Sequence, residues 1–223
     1  MIRRALHAGT WYTRNPDQLE FQLESWRIEP SVNRPTALLV PHAGYEYSGQ
    51  VAAAAFSLAA GHSYRRVILL GPSHRGPSDV STASSLETPL GQLPVDPLAQ
   101  QLGLGRMRIS DDEAEHSLEM QFPLIRHFLG SIPCLPILVS HAADAKLLSL
   151  LKPHLQESLL VISSDFCHWG KRFGYVPELH EFAGAGPGDR IKSLDMAAFE
   201  AFNSGSLAAF DQYLEETGNT ICG

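Results

Sequence analysis

Arg66-Val67-Ile68-Leu69-Leu70-Gly71-Pro72-Ser73-His74 is the stretch that decides the fold. Four aliphatic residues in a row, with no polar alternate and a Gly-Pro stop, make a short strand apolar on both faces. A histidine follows the stop. Working outward, the same design recurs. Thr36-Ala37-Leu38-Leu39-Val40 is ended by Pro41, and His42 comes next. Leu159-Leu160-Val161-Ile162 runs into Ser163-Ser164-Asp165-Phe166-Cys167-His168. Ile137-Leu138-Val139 is a further short strand. Between these runs lie helix-prone segments. Residues 48–60 are Ala-rich and stop at Gly61; residues 113–128 read as a helix kinked or broken at Pro123; residues 142–155 are helical in composition. Residues 79–96 hold β-prone pieces around a Pro89-Leu90-Gly91 turn, and residues 176–190, rich in Gly and Pro, read as a surface loop. Residues 190–203 and 206–216 read as two helices. Alternating apolar strands and helices predict an α/β fold, with a central mostly parallel or mixed sheet flanked by helices.

Composition bounds the function. The chain has 223 residues, 44% of them hydrophobic and 18% charged, enough for one α/β domain with a real core. Its formal net charge of −7 argues against nucleic-acid or anionic-membrane binding, which needs a basic surface. Cys134, Cys167 and Cys222 are far apart and form no C-x-x-C pair, so neither a disulfide framework nor a zinc ribbon is expected. The N-terminus carries Arg3 and Arg4 with no apolar run behind them, which is not a signal peptide, and no apolar run reaches membrane-spanning length. A cytoplasmic location is the expectation.

The unusual entry in the composition is ten histidines. In open α/β sheets ligands bind beyond the carboxyl ends of the strands, which selects His42, His74 and His168. Parallel neighbouring strands would bring the three to one edge of the sheet, although any one alone could be a hydrogen-bonded structural histidine. His116 and Glu119 lie three residues apart on the expected helix, and Glu115 with His116 could line a pocket or orient a ligand. One histidine on that helix is too few for a zinc-protease motif. His62, His127, His141, His154 and His180 are assigned solvent or capping roles. His7, in His7-Ala8-Gly9-Thr10-Trp11-Tyr12, is expected to pack in an aromatic turn. No phosphate-binding glycine loop and no G-x-S-x-G elbow occurs.

Pro41-His42-Ala43-Gly44-Tyr45, Gly71-Pro72-Ser73-His74, Glu115-His116-Ser117-Leu118-Glu119-Met120, Ser163 through Gly170 and Asn219-Thr220-Ile221-Cys222-Gly223, in that succession, resemble the Memo family, the mediators of ErbB2-driven cell motility. The opening residues 7–12 resemble that family's start as well. The resemblance implies a fold like that of class III extradiol dioxygenases of the protocatechuate 4,5-dioxygenase type. It implies His42, His74 and Cys222 as ligands of iron or copper, with His168 in the place of the catalytic histidine and Asp165 beside it. It also implies redox activity, a role in cell signalling or motility, and binding of a phosphotyrosine peptide from a receptor.

Two imidazoles and a thiolate suit copper(I), zinc or iron better than harder ions. A thiolate where the dioxygenases have a carboxylate makes ring cleavage doubtful, and leaves a metal-dependent oxidoreductase as the enzyme reading. The alternative is a non-catalytic phosphotyrosine-peptide module, with Arg75, Lys171 and Arg172 as contacts. A metal-dependent hydrolase comes last, because no motif places a carboxylate base. Residues 1–223 read as a single Memo-like domain that stops short of the family pattern. Fraying at Cys222, weakened metal binding and an exposed sheet edge are therefore expected.

Overall fold

The computed structural model describes residues 1–74, 79–140, 145–177, 184 and 186–222. Arg75, His141 and His180, assigned above to ligand contact or to solvent, lie outside the described residues, as do 178–183 and 185 of the expected loop at 176–190. The chain divides into two compact units, Met1–Ser164 and Asp165–Cys222.

The strands of the first unit are β1 (Ile2–Arg3), β2 (Ala37–Val40), β3 (Arg66–Pro72), β4 (Asp79–Val80), β5 (Ser85–Thr88), β6 (Gly91–Pro94), β7 (Gly105–Arg106), β8 (Cys134–Val139) and β9 (Ser158–Ser163). Its helices are α1 (Pro16–Ser25), α2 (Gln50–Ala59), α3 (Ile109–Ala114), α4 (His116–Glu119), α5 (Phe122–Leu129) and α6 (Ala145–Leu151). Six strands form one sheet in the order β2-β9-β3-β8-β4-β7, and β1-β5-β6 form a second. The pairings β2–β9, β9–β3 and β3–β8 are parallel, and β4 runs antiparallel to β8, so the expected mixed α/β sheet is present.

The contiguous apolar runs are explained by a core on each face of the sheet. Val67 and Leu69 pack with Leu159, Val161 and the α2 residues Ala52, Ala53 and Phe56. Ile68 packs on the other side with Leu135, Ile137, Leu147 and Leu151. Alternate residues of one strand thus enter two different cores, and neither face needs polar residues. The register aligns the carboxyl ends: Val40 lies opposite Ser163, Leu70 opposite Ile162, and Pro72 opposite Val139.

The expected helix over 113–128 is in fact three elements. Glu115 is extended (φ −88°, ψ 127°), and its side chain accepts the Ser117 N–H at 3.1 Å, so it ends α3 and caps α4. Pro123 sits in the first turn of α5, where its missing N–H costs nothing, so it starts a helix rather than kinking one. At Gly71 the chain has no room for a side chain: a Cβ would lie 2.9 Å from both Leu118 Cδ2 and Ser117 Oγ. That glycine lets α4 lie directly against the end of β3.

The second unit holds α7 (Pro187–Asn203) and α8 (Leu207–Thr217). The structure starts α7 at Pro187, three residues before the expected boundary, again with proline in the first turn. Leu194, Ala198 and Tyr213 form its small core, and the Phe166 ring stacks on Phe199 at 4.6 Å. Among the described residues no helix is long and apolar enough to cross a membrane.

Candidate metal and histidine site

His42 follows β2, His74 follows β3, and His116 opens α4. The three rings gather at the carboxyl edge of the parallel strands. Ring centroids lie 5.6 Å apart for His42–His74, 5.4 Å for His42–His116 and 4.6 Å for His74–His116, the last pair stacked with 17° between planes. One ligand atom from each of His42 and His74 lies within 4.8 Å of the other, and so do ligand atoms of His74, Glu115 and His116.

Hydrogen-bond partners set the tautomers. The Ser163 hydroxyl donates to the Ser117 carbonyl at 2.7 Å and accepts from Gln121 Nε2 at 3.0 Å. With its proton committed, it takes the His42 Nδ1–H at 3.0 Å. His74 Nδ1 donates to Glu115 Oε1 at 2.8 Å. In the neutral form of each ring the lone pair therefore sits on Nε2, the atom a metal would take.

Glu115 grips His74 twice, because Oε2 also accepts the His74 peptide N–H at 2.9 Å. Burial would raise this carboxyl, but the bonds from the His74 ring, the His74 N–H and the Ser117 N–H outweigh it and hold the pKa at about 2. Burial, then the neighbouring His74, push the His116 ring down to about 4, so it is neutral at pH 7. Glu115 and His116 thus both lie against the His74 ring.

One turn further on, Glu119 repeats the grip on a different histidine. Its Oε1 accepts the His7 peptide N–H at 2.8 Å, and its Oε2 accepts His7 Nδ1 at 2.8 Å. His7 is not a mere packing residue. Its ring lies 6.1 Å from His116, and Trp11 lies 4.6 Å from His116. Glu119 also takes the Tyr12 hydroxyl and Arg3. Arg3 is fully buried and uses all its donors, on Asp112, Glu119 and the carbonyls of Arg4, Asp112 and Glu115. The signal in the sequence was two carboxylates four residues apart just before the apolar residues of α5, since acids that become buried need partners.

Asp165, His168 and Cys222 belong to the second unit. There the last described residues pair with the segment after β9. The Cys222 N–H donates to the Asp165 carbonyl at 2.8 Å, and the His168 N–H donates to Thr220 Oγ1 at 2.7 Å. His168 Nδ1 donates to the Thr220 carbonyl at 2.7 Å, which gives this ring the same tautomer as His42 and His74. Cys222 is therefore tied by its backbone to the segment after β9. Asn219 Nδ2 bonds Asp195 and the Tyr213 hydroxyl and anchors the same turn.

A family model described as Memo-like protein matches residues 3–223. The chain is 38% identical over 238 aligned positions to the protein memo-1 homolog of Caenorhabditis elegans, covering 99% of this chain and 68% of that protein. It is 36% identical to a MEMO1 family protein of Schizosaccharomyces pombe and 35% identical to protein MEMO1 of Homo sapiens. Those two matches cover all of this chain and 84% and 81% of the relatives. With one family model matching both units and full-length similarity to proteins from three organisms, the chain belongs to the Memo family.

Proposed function

We propose that this chain is a metal-binding redox protein in which His42 and His74 give Nε2 to iron or copper. The observation that carries the reading is the paired tautomer. Two neighbouring rings, 5.6 Å apart, each have Nδ1 held by a separate buried acceptor. Glu115 does more than orient His74: its negative charge, kept ionised, raises the basicity of the ring and favours a cation beside it. His116 forms a neutral wall between the pair and Trp11.

The family resemblance adds Cys222 as the thiolate ligand, and His168 with Asp165 as the groups that hold and move protons. In the neutral His168 ring that proton acceptor is Nε2. The donor set of two imidazoles and one thiolate fits iron or copper(I). A bound iron or copper would supply one-electron and dioxygen chemistry; the protein supplies orientation, charge and a proton carrier. The signalling or motility role and the phosphotyrosine-peptide partner rest on the resemblance.

Metal analysis after anaerobic loading with iron(II) or copper(I) tests this reading. The wild type is expected to retain metal, and the His42→Ala, His74→Ala double variant to lose it. Cys222→Ser should bind more weakly while the two imidazoles still hold some metal. Equal, near-zero metal in wild type and double variant overturns the proposal, and phosphotyrosine-peptide binding by that same protein would then favour the peptide module. Oxygen uptake with a catechol or a reductant separates a redox protein from one that only stores metal.

A further inference from the structure

The other end of β3 carries a second concave site. A pocket of about 420 Å³ is lined by Arg65, Arg66, Asp96, Leu98, Gln101 and His154, among others. That volume suits a small organic ligand, for which sites of roughly 300–1,000 Å³ are usual. Arg66 opens β3, whereas His74 follows its end, so this pocket is separate from the imidazole cluster.

The free donors of its arginines are what mark this pocket. Asp96 is its one carboxylate, and both its oxygens are used: Oδ2 accepts Arg66 Nε at 2.7 Å and Oδ1 caps the Leu98 N–H at 2.8 Å. The Arg66 side chain is only 8% exposed. Its two Nη atoms carry four N–H donors, and they have no hydrogen-bond partner among the described residues. Arg65 adds a second cation, held only by an exposed pair with Glu157 that is more than half in water. Two guanidiniums and one carboxylate thus line a cavity in a chain of net charge −7.

We propose that this pocket binds a small molecule bearing a phosphate or carboxylate group, held by the Nη fork of Arg66 with Arg65 beside it. A guanidinium fork of two parallel donors matches the oxygens of either group. The Gln101 amide and the His154 ring can meet further oxygens, and Leu98, Pro97 and Pro133 offer an apolar wall to the rest of the ligand.

Calorimetric titration of the whole chain with inorganic phosphate, pyrophosphate and citrate tests the proposal, with the His154 ring followed by NMR. At least one probe should bind saturably at one site and move the His154 resonance. Phosphate or pyrophosphate doing so, but not citrate, assigns a phosphate ligand, and the reverse assigns a carboxylate. Gln101→Glu, at an exposed position, places a negative charge at the rim and should weaken binding about tenfold. Arg66→Lys keeps a cation for Asp96 but removes the fork, and should lose binding while the thermal melt shows a folded chain. The His42→Ala, His74→Ala variant should bind the probes as wild type does. The proposal is overturned if no probe binds saturably, or if binding survives unchanged in both Gln101→Glu and Arg66→Lys.

Discussion

Glu115 and Glu119 stand one helical turn apart, and each holds the peptide N–H and the Nδ1 of one histidine. The grips are alike; the surroundings are not. Glu119 also meets the buried Arg3 guanidinium and the Tyr12 hydroxyl, so its charge is neutralised inside the protein. The Glu115 carboxylate meets peptide N–H groups and imidazoles and, among the described residues, no arginine or lysine side chain. The same clamp therefore does two jobs. At His7 it closes an ion cluster that fastens the N-terminus, and at His74 it leaves a negative charge for a cation to answer.

The sharpest way to break this comparison is Arg3→Met. It leaves Asp112 and Glu119 buried without their cation, and should cost about 3–5 kcal/mol in urea denaturation. A wild-type midpoint would show that the cluster does not hold the fold. Glu115→Gln should behave the other way round, lowering metal affinity by about 10–100-fold with a smaller loss of stability. Glu119→Gln should reverse that order, and metal titration beside a denaturation curve reads both. Equal metal losses in the two variants would erase the distinction.

Acid sharpens the comparison further. Both carboxyls titrate lower in the folded chain than the ordinary glutamate value of 4.5, Glu115 at about 2. The contribution of Glu115 to stability is then complete above pH 4.5 and is lost as pH falls from there toward about 2, and that of Glu119 is likewise lost below the ordinary value. Denaturation midpoints followed down this window should fall in wild type, and fall less steeply in Glu115→Gln and in Glu119→Gln. The smallest effect is expected for Ser163→Ala, which removes the acceptor of His42 Nδ1 and should cost about 1 kcal/mol, with a modest fall in metal affinity.

The strands and the two histidines after them were legible because the information is local. An apolar run, a Gly-Pro or Pro stop and a histidine all fall within nine residues at Arg66–His74. The resemblance motifs are legible for the same reason. What stayed hidden depends on distance along the chain. His7 and Glu119 are 112 positions apart, so no periodicity links them. The break at Glu115 is a cap whose acceptor is a side chain also engaged by His74, and composition alone extends the helix through it. Arg66 reads as an ordinary strand-flanking cation until Asp96 and the cavity are placed beside it.

Arg3 finds Asp112 and Glu119 at separations of 109 and 116 residues. During synthesis the first turn of the chain leaves the ribosome long before either partner exists, and the ribosome feeds out roughly 5–20 residues each second. The Arg3 side chain must wait for its carboxylates until α4 has emerged, although the backbone of β1 can already pair with β5. Closure of the N-terminus is thus a late event in assembly. It fastens His7 and Trp11 beside His116 only after β3 and α4 have been made.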